Sequence, residues 1–404
     1  MKYLVILGDG MADWKIPQLG GKTCLEAAKT PNLDKIAPLS EVGLCKTVPS
    51  GFKPGSDVAN MSVLGFDPNK YYTGRSPLEA VSMGIKLKET DVTLRCNLVT
   101  LSDEEPYENK TMLDYSAGDI STEEANELVS FLKQNFDGET RTLYAGMQYR
   151  HCLVISNGAT GARLTPPHDI SDKCVKGHLP EDVNSGVYRG LMEKSYQLLK
   201  NHPVNLKRIK EGKNPANSIW LWGEGTKPAL KNFKSLRGLK GGVISAVDLV
   251  KGIGMLADMK IIEVAGATGN YDTDFKGKAE TAVKELLNGL DFVYIHMEAP
   301  DECGHHGDFE HKVYSIEQID KLVISTVTEK LKQAGEDFAI LVCPDHPTPC
   351  SIKTHLSDPI PYLLYTNKKS LSNGAARYTE DEAAKTKTYL ADGYKLIEKL
   401  FSIV

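Results

Sequence analysis

The 404-residue sequence has no apolar run of about eighteen residues, so no helix in it is built to cross a bilayer. Its eight cysteines, at positions 24, 45, 96, 152, 174, 303, 343 and 350, form no CxxC pair. That scatter excludes a zinc knuckle or a disulfide-stapled miniprotein and fits reduced thiols in a cytoplasm. A basic block is missing too. With 48 Lys and Arg against 53 Asp and Glu, the formal charge is −5, which leaves no strong positive field for nucleic acid or an anionic membrane. The opening apolar stretch, Tyr3 to Leu7, is too short for a signal-peptide core and is soon followed by Asp9, so a cytoplasmic protein is expected. Three familiar motifs are incomplete or absent. Gly21-Lys22-Thr23 resembles the end of a phosphate-binding loop, but Ile16 stands where its first glycine is required. Gly252-Ile253-Gly254 with Ala257 imitates a dinucleotide fingerprint, yet Asp248 and Lys251 interrupt the segment that must be a buried strand. No GxSxG elbow occurs.

What is present is a globular composition, 41% apolar and 25% charged, on a chain too long for one core. Two domains, or one domain with a large insertion, are expected. YLVIL followed by Gly-Asp-Gly reads as a buried strand and a turn. Further strand candidates are 151–155, 219–222, 261–264, 291–297, 338–342 and 360–365, several apolar on both faces as covered parallel strands are. Helical spacing marks 124–133, 315–332 and 383–401. The alternation predicts an α/β fold with a mostly parallel sheet covered by helices. Glycine and proline punctuation places an inserted α+β domain at 77–238, leaving 1–76 and 239–404 as a discontinuous core.

The chemistry-bearing residues concentrate in the last third. After the strand-like DFVYIHMEA come Asp301, His305, His306 and Asp308; after FAILVC come Asp345, His346 and then His355. Open α/β sheets place ligand sites beyond the carboxyl ends of their strands. A lone Asp-His pair is usually solvated surface. Two Asp/His groups after two buried strands point instead to metal, with donors suited to Mn²⁺ or Zn²⁺ more than to Ca²⁺. Two groups suggest two ions, the arrangement that clamps both oxygens in a phosphoryl displacement. Asp9 follows the first strand in the same way, although Gly-Asp-Gly alone is most often a turn. Ser56, after Pro54-Gly55, begins an apparent helix. It reads either as an N-cap or as a nucleophile at a helix N-terminus that would favour a phosphoryl group.

These residues lie within an ordered series: GDGMAD at 8–13, TPNLD at 30–34, PGSDVANMSVLGFDP at 54–68, GRSPLEA at 74–80, RCNL at 95–98, YRHCLV at 149–154, ISAVDLVKGIG at 244–254 and GATGNYDTD at 266–274. Over nearly its whole length the chain resembles the archaeal-type, cofactor-independent phosphoglycerate mutases of the alkaline-phosphatase superfamily. The resemblance implies a metallophosphatase-like core, a cap at 77–238 and two divalent ions, manganese first with zinc or magnesium as alternatives. One ion would be held by Asp9, Ser56, Asp345 and His346, the other by Asp301, His305 and His355. It implies interconversion of 3- and 2-phosphoglycerate through a phosphoserine at Ser56, with a small phosphorylated metabolite as the partner. Lys251 resembles a phosphate-neutralising lysine, or is an ordinary helix lysine. Arg95, Asn97, Arg150, His151 and His168 match substrate motifs of the cap, and Asp169 or His168 is the candidate proton shuttle.

The sequence departs from the family pattern at Tyr115 and Asp119, where arginines are usual, and at 217–225, where Trp220, Trp222 and Glu224 stand. These features resemble a subgroup proposed to act as homoserine kinases. That alternative keeps the metal chemistry and changes donor and acceptor.

Overall fold

The computed structural model describes residues 1–403. In chain order the strands are β1 (Lys2–Gly8), β2 (Glu41–Cys45), β3 (Val92–Leu101), β4 (Met112–Asp114), β5 (Arg141–Tyr144), β6 (Arg150–Ile155), β7 (Ala162–Arg163), β8 (Glu181–Asp182), β9 (Ser218–Thr226), β10 (Gly241–Ile244), β11 (Lys260–Ile261), β12 (Phe292–Met297), β13 (Phe338–Cys343), β14 (Ile360–Thr366) and β15 (Tyr389–Leu390). Principal helices are α1 (Ser56–Val63), α2 (Thr122–Phe136), α3 (Ser185–Leu199), α4 (Asp248–Leu256), α5 (Phe275–Leu287) and α6 (Ala299–His306). Two compact units result: Met1–Tyr72 with the chain from Ala229 onward, and Thr73–Pro228. Boundaries at 76/77 and 238/239 were expected from glycine and proline punctuation; packing places the divisions after Tyr72 and Pro228.

The first unit is built on an eight-stranded sheet, order β11-β10-β12-β1-β13-β14-β2-β15. β1 lies parallel between β12 and β13, with Ile6 opposite Ile295 and Val342. β14 runs antiparallel to β13 and β2. The central strands are near-continuous apolar runs because helices cover both faces. Period-two alternation then divides the labour of β12. Val293, Ile295 and Met297 enter the core with α5 residues Ala279, Ala282 and Leu286. The intervening Tyr294 and His296, equally buried, meet polar partners, Asn60 and Asp9.

The second unit is an antiparallel sheet, order β4-β3-β6-β5, with β9 also on β3. Its core joins Leu94, Leu98 and Trp220 of the sheet to Leu128 and Leu132 of α2 and Leu191 and Met192 of α3.

Two expected elements differ. The helix expected over 383–401 is interrupted: helices span Glu380–Lys385 and Leu396–Phe401, with β15 between them. Lys387 takes a left-handed φ of 57°, and Tyr389 and Leu390 gain backbone pairing with Leu44 and Cys45. A sheet edge here overrides helical spacing. The strand expected at 261–264 shrinks to Lys260–Ile261, because the chain leaves the edge of the sheet toward the left-handed turn at Gly266.

Candidate active site

Asp9 stands just past β1, Asp345 and His346 just past β13, and Asp301 and His305 in α6, the helix that follows β12. These strands are adjacent and parallel, so their carboxyl ends converge. Asp301 and His305 are four apart in α6 and therefore share one face of it. The close approach needs Gly10, which has φ 59°. A Cβ there would meet Asp301 Oδ1 at 2.5 Å and Thr348 Oγ1 at 2.6 Å.

Gly55 is the N-cap of α1, with an extended backbone, and Ser56 occupies the first helical position. The hydroxyl makes no capping bond, so the N-cap reading of Ser56 gives way. Its Oγ lies 3.2 Å from His346 Nε2. His346 Nε2 is 3.4 Å from Asp345 Oδ2 and 3.7 Å from Asp9 Oδ1. On the other side, His305 Nε2 is 3.2 Å from Asp301 Oδ2 and 2.9 Å from His355 Nε2, and His355 Nε2 is 3.6 Å from Asp301 Oδ1. Asp9, Asp345 and His346 offer donor atoms within 4.8 Å of one another, and so do Asp301, His346 and His355. All seven ligand candidates named from the sequence therefore gather in one place, with His346 common to both groups.

The electrostatics call for a cation. Asp9, Asp301 and Asp345 are buried, and among the described residues no lysine or arginine pairs with any of them. Burial, then the charges of Asp345 and Asp301, push the Asp9 carboxyl well above the usual range. Asp9 Oδ1 is buried without a hydrogen-bond partner among the described residues. Burial also raises Asp301, but hydrogen bonds from His305 and His355 outweigh it and hold it well below the usual range. Burial lowers His305, and its bond to Asp301 reverses that, to about 9. Burial pulls His346 down. An orphaned carboxylate oxygen among oxygen and imidazole donors fits Mn²⁺ or Zn²⁺.

Residues that hold these side chains in place went unread in the sequence. Asn60 Nδ2 donates to Asp345 Oδ2 at 2.8 Å and to the Ser56 carbonyl at 3.0 Å. Tyr294 Oη donates to Asn60 Oδ1 at 2.7 Å. His296 Nε2 is 2.9 Å from Asp9 Oδ2, and burial pushes this imidazole down to about 4. Thr348 Oγ1 donates to Asp301 Oδ1 and sits 3.2 Å from His346 Nδ1. A histidine inside the apolar run of β12 was the available signal.

Lys251 is held by both carboxylate oxygens of Glu263, at 3.0 Å each, rather than by any of the seven ligand candidates. In the second unit, Arg95 is buried with Nε 3.1 Å from Glu79 and its guanidinium 4.4 Å from the Trp222 ring. Burial beside Arg75 and Arg150 pulls it down to about 10. Asn97 accepts from Trp222 Nε1 at 3.0 Å and donates to the Tyr115 carbonyl at 3.1 Å. His168 packs edge-on to Trp222 and Tyr115, with Asp169 3.7 Å from its Nε2. Arg150 is exposed over Tyr149. His151 is buried; Nδ1 accepts from Gly146 N at 3.0 Å and Nε2 has no partner among the described residues. Burial pushes its pKa down to about 3, so the ring is neutral. Glu224, one of the departures from the family pattern, accepts the N–H groups of Gly161 and Ala162 on Oε1 at 2.6 and 2.8 Å and staples that loop. Trp220 is a core residue whose Nε1 donates to the Thr165 carbonyl.

Residues 37–205 match the family described as 2,3-bisphosphoglycerate-independent phosphoglycerate mutase. A Methanosarcina barkeri protein of that name is 48% identical over 398 residues, covering 98% of each chain. A Geobacter sulfurreducens protein, named as a probable such mutase, is 46% identical over 400 residues and 99% of each chain. Among solved structures, a Pyrococcus horikoshii protein aligns with TM-score 0.80 and 29% identity, covering 99% of this chain and 96% of that one. The cofactor-independent phosphoglycerate mutase of Thermoplasma acidophilum aligns over 100% of both chains with TM-score 0.64 and 24% identity, a likeness of fold.

Proposed function

The chain belongs to the 2,3-bisphosphoglycerate-independent phosphoglycerate mutases, and from that premise we propose that it interconverts 3- and 2-phosphoglycerate through a phosphoserine at Ser56. The observation that carries the mechanism is the uncapped Ser56 hydroxyl at the start of α1, beside His346 and the orphaned oxygen of Asp9.

Ser56 Oγ attacks phosphorus, the bond from phosphorus to O3 breaks, and O3 of the glycerate takes up a proton. The glycerate then turns, its 2-hydroxyl attacks the phosphoserine, and Ser56 is regenerated as 2-phosphoglycerate leaves. The positive end of the α1 dipole favours the phosphoryl anion, although the Val58 N–H in its first turn is taken by Asp57 Oδ1 at 3.0 Å. Asn60 ties the Ser56 backbone to Asp345, which keeps the nucleophile in place between the two half-reactions. Water reaching the phosphoserine would convert the mutase into a phosphatase, so the glycerate must be retained. For that retention we assign Arg95, Asn97, Arg150, His151 and His168 to substrate recognition, with Asp169 or His168 moving the hydroxyl proton and Lys251 neutralising phosphate once released from Glu263.

The family is metal-dependent. The first ion belongs with Asp9, Ser56, Asp345 and His346, the second with Asp301, His305 and His355, and we infer Mn²⁺, with Zn²⁺ or Mg²⁺ as alternatives. Bound cations supply charge stabilisation on the phosphoryl oxygens and acidify the serine hydroxyl. We further place the reaction in glycolysis and gluconeogenesis, in the cytoplasm; no helix among the described residues is long and apolar enough to cross a membrane. The loop-stapling role of Glu224 and the core role of Trp220 account for two departures that suggested homoserine as acceptor, so that alternative gains no support from them.

The test is mass spectrometry of the manganese-loaded protein quenched with 3-phosphoglycerate. A phosphopeptide containing Ser56, with formation of 2-phosphoglycerate, is expected. Ser56→Ala should give neither while folding normally, and full turnover in that variant would overturn the mechanism.

A further inference from the structure

The carboxylate of Asp9 is reached by a directed chain of hydrogen bonds that begins just past β10, two strands away in the sheet. Val247 N–H donates to Ser245 Oγ at 2.9 Å. The serine's own hydrogen then goes to His296 Nδ1 at 3.2 Å; its competing acceptor, the Val247 carbonyl at 3.5 Å, lies at the limit of a hydrogen bond. Accepting at Nδ1 places the ring hydrogen on Nε2, which donates to Asp9 Oδ2 at 2.9 Å. Ser245, His296 and Asp9 are 3%, 0% and 2% exposed, so no solvent competes for these bonds. One hydrogen assignment satisfies the whole chain. It engages Oδ2 of Asp9 and leaves Oδ1, 3.7 Å from His346 Nε2, without a partner.

Asp301 is held differently, by Thr348, His305 and His355, and the neighbour it has in common with Asp9 is His346, not Ser245 or His296. Polar side chains buried in an apolar strand cost solvation that an aliphatic residue would avoid, and in His296 that cost secures the orientation of a single carboxylate. Outer partners of this kind orient metal ligands and tune affinity.

We propose that Ser245 and His296 are positioning residues for one of the two ions. They fix the tautomer of the imidazole and the rotation of Asp9, so that Oδ1 faces the ion on the Ser56 side while the ion held by Asp301 is indifferent to them. This rests on the metal reading given above.

The experiment titrates metal-stripped protein with Mn²⁺ alone and reads free aqueous Mn²⁺ by electron paramagnetic resonance. The unmodified protein should bind two ions. In His296→Phe one ion should bind about 10–100-fold more weakly and the other unchanged. Ser245→Ala should weaken the same ion by a smaller factor, and His296→Gln, which keeps a donor, should recover much of the loss. Parental titration curves in both His296→Phe and Ser245→Ala would overturn the proposal, as would equal weakening of both ions. If His296→Phe fails to fold, Ser245→Ala decides by the same criterion. Absence of any Mn²⁺ binding by the unmodified protein would overturn the metal reading and this relay with it, whereas two-site binding unmoved by the variants overturns the relay alone.

Discussion

Asp9 and Asp13 leave the same turn after β1, four residues apart, and both are buried, yet their surroundings are opposite. Asp13 Oδ2 pairs with Lys312 Nζ at 2.9 Å, and that fully buried lysine also donates to the carbonyls of Thr348 at 2.8 Å and Ala12 at 3.3 Å. Asp13 further accepts from Trp14 N at 2.7 Å and Cys350 N at 3.2 Å. Cys24 and Cys350 complete a trio with Asp13 that resembles a metal site in donor type, but the lysine already supplies the positive charge there. Among the described residues Asp9 has no such lysine. A carboxylate with its own cation is structural; a carboxylate cluster without one is left for an ion. The contrast separates scaffold from site more sharply than burial does.

The sharpest way to break this contrast is Lys312→Met. It strands a buried carboxylate, so denaturation should show a loss of ~3–5 kcal/mol, partly recovered by adding Asp13→Asn. An unchanged stability would remove the structural role of the pair. Next in size, Mn²⁺ should stabilise the metal-free protein against urea by ~2.7 kcal/mol per site at a hundred times the dissociation constant, an effect that Asp9→Asn should reduce. Without metal, Asp9→Asn should itself stabilise by about 1 kcal/mol at neutral pH, because it removes a carboxyl whose ionised form is disfavoured by burial and by Asp345 and Asp301, whereas Asp13→Asn should destabilise. Equal signs would refute the distinction.

A pH-dependent effect concerns Glu380, which accepts from Asp13 N at 3.2 Å and Thr23 Oγ1 at 2.7 Å. Burial pushes its carboxyl from 4.5 up to about 7. A raised carboxyl binds its proton more tightly when folded, so its contribution is full below pH 4.5 and is lost as pH rises through about 7. Chemical denaturation across that window should show a fall in stability that Glu380→Gln flattens.

The unit that carries the candidate site was legible because its signals are local. Asp9, Asp301 and Asp345 each follow an apolar run, and the parallel sheet brings those strand ends together. His296, Asn60 and Thr348 were missed because their role depends on strand alternation and on contacts between distant segments. In the sequence His296 is a single histidine within an apolar run, and only strand alternation gives it a face. The helix expected at 383–401 failed for a related reason, since pairing of β15 with β2 is invisible in local spacing. Glu224 shows the converse: a departure that suggested a different acceptor has its Oε1 bound by two backbone N–H groups of a neighbouring loop.

The central claim is that the cluster around Asp9 depends on external cations. Turnover of 3-phosphoglycerate by metal-stripped protein, before and after adding Mn²⁺, tests it most directly. The account predicts no turnover before addition and restoration after it, and full turnover by the stripped protein would contradict it.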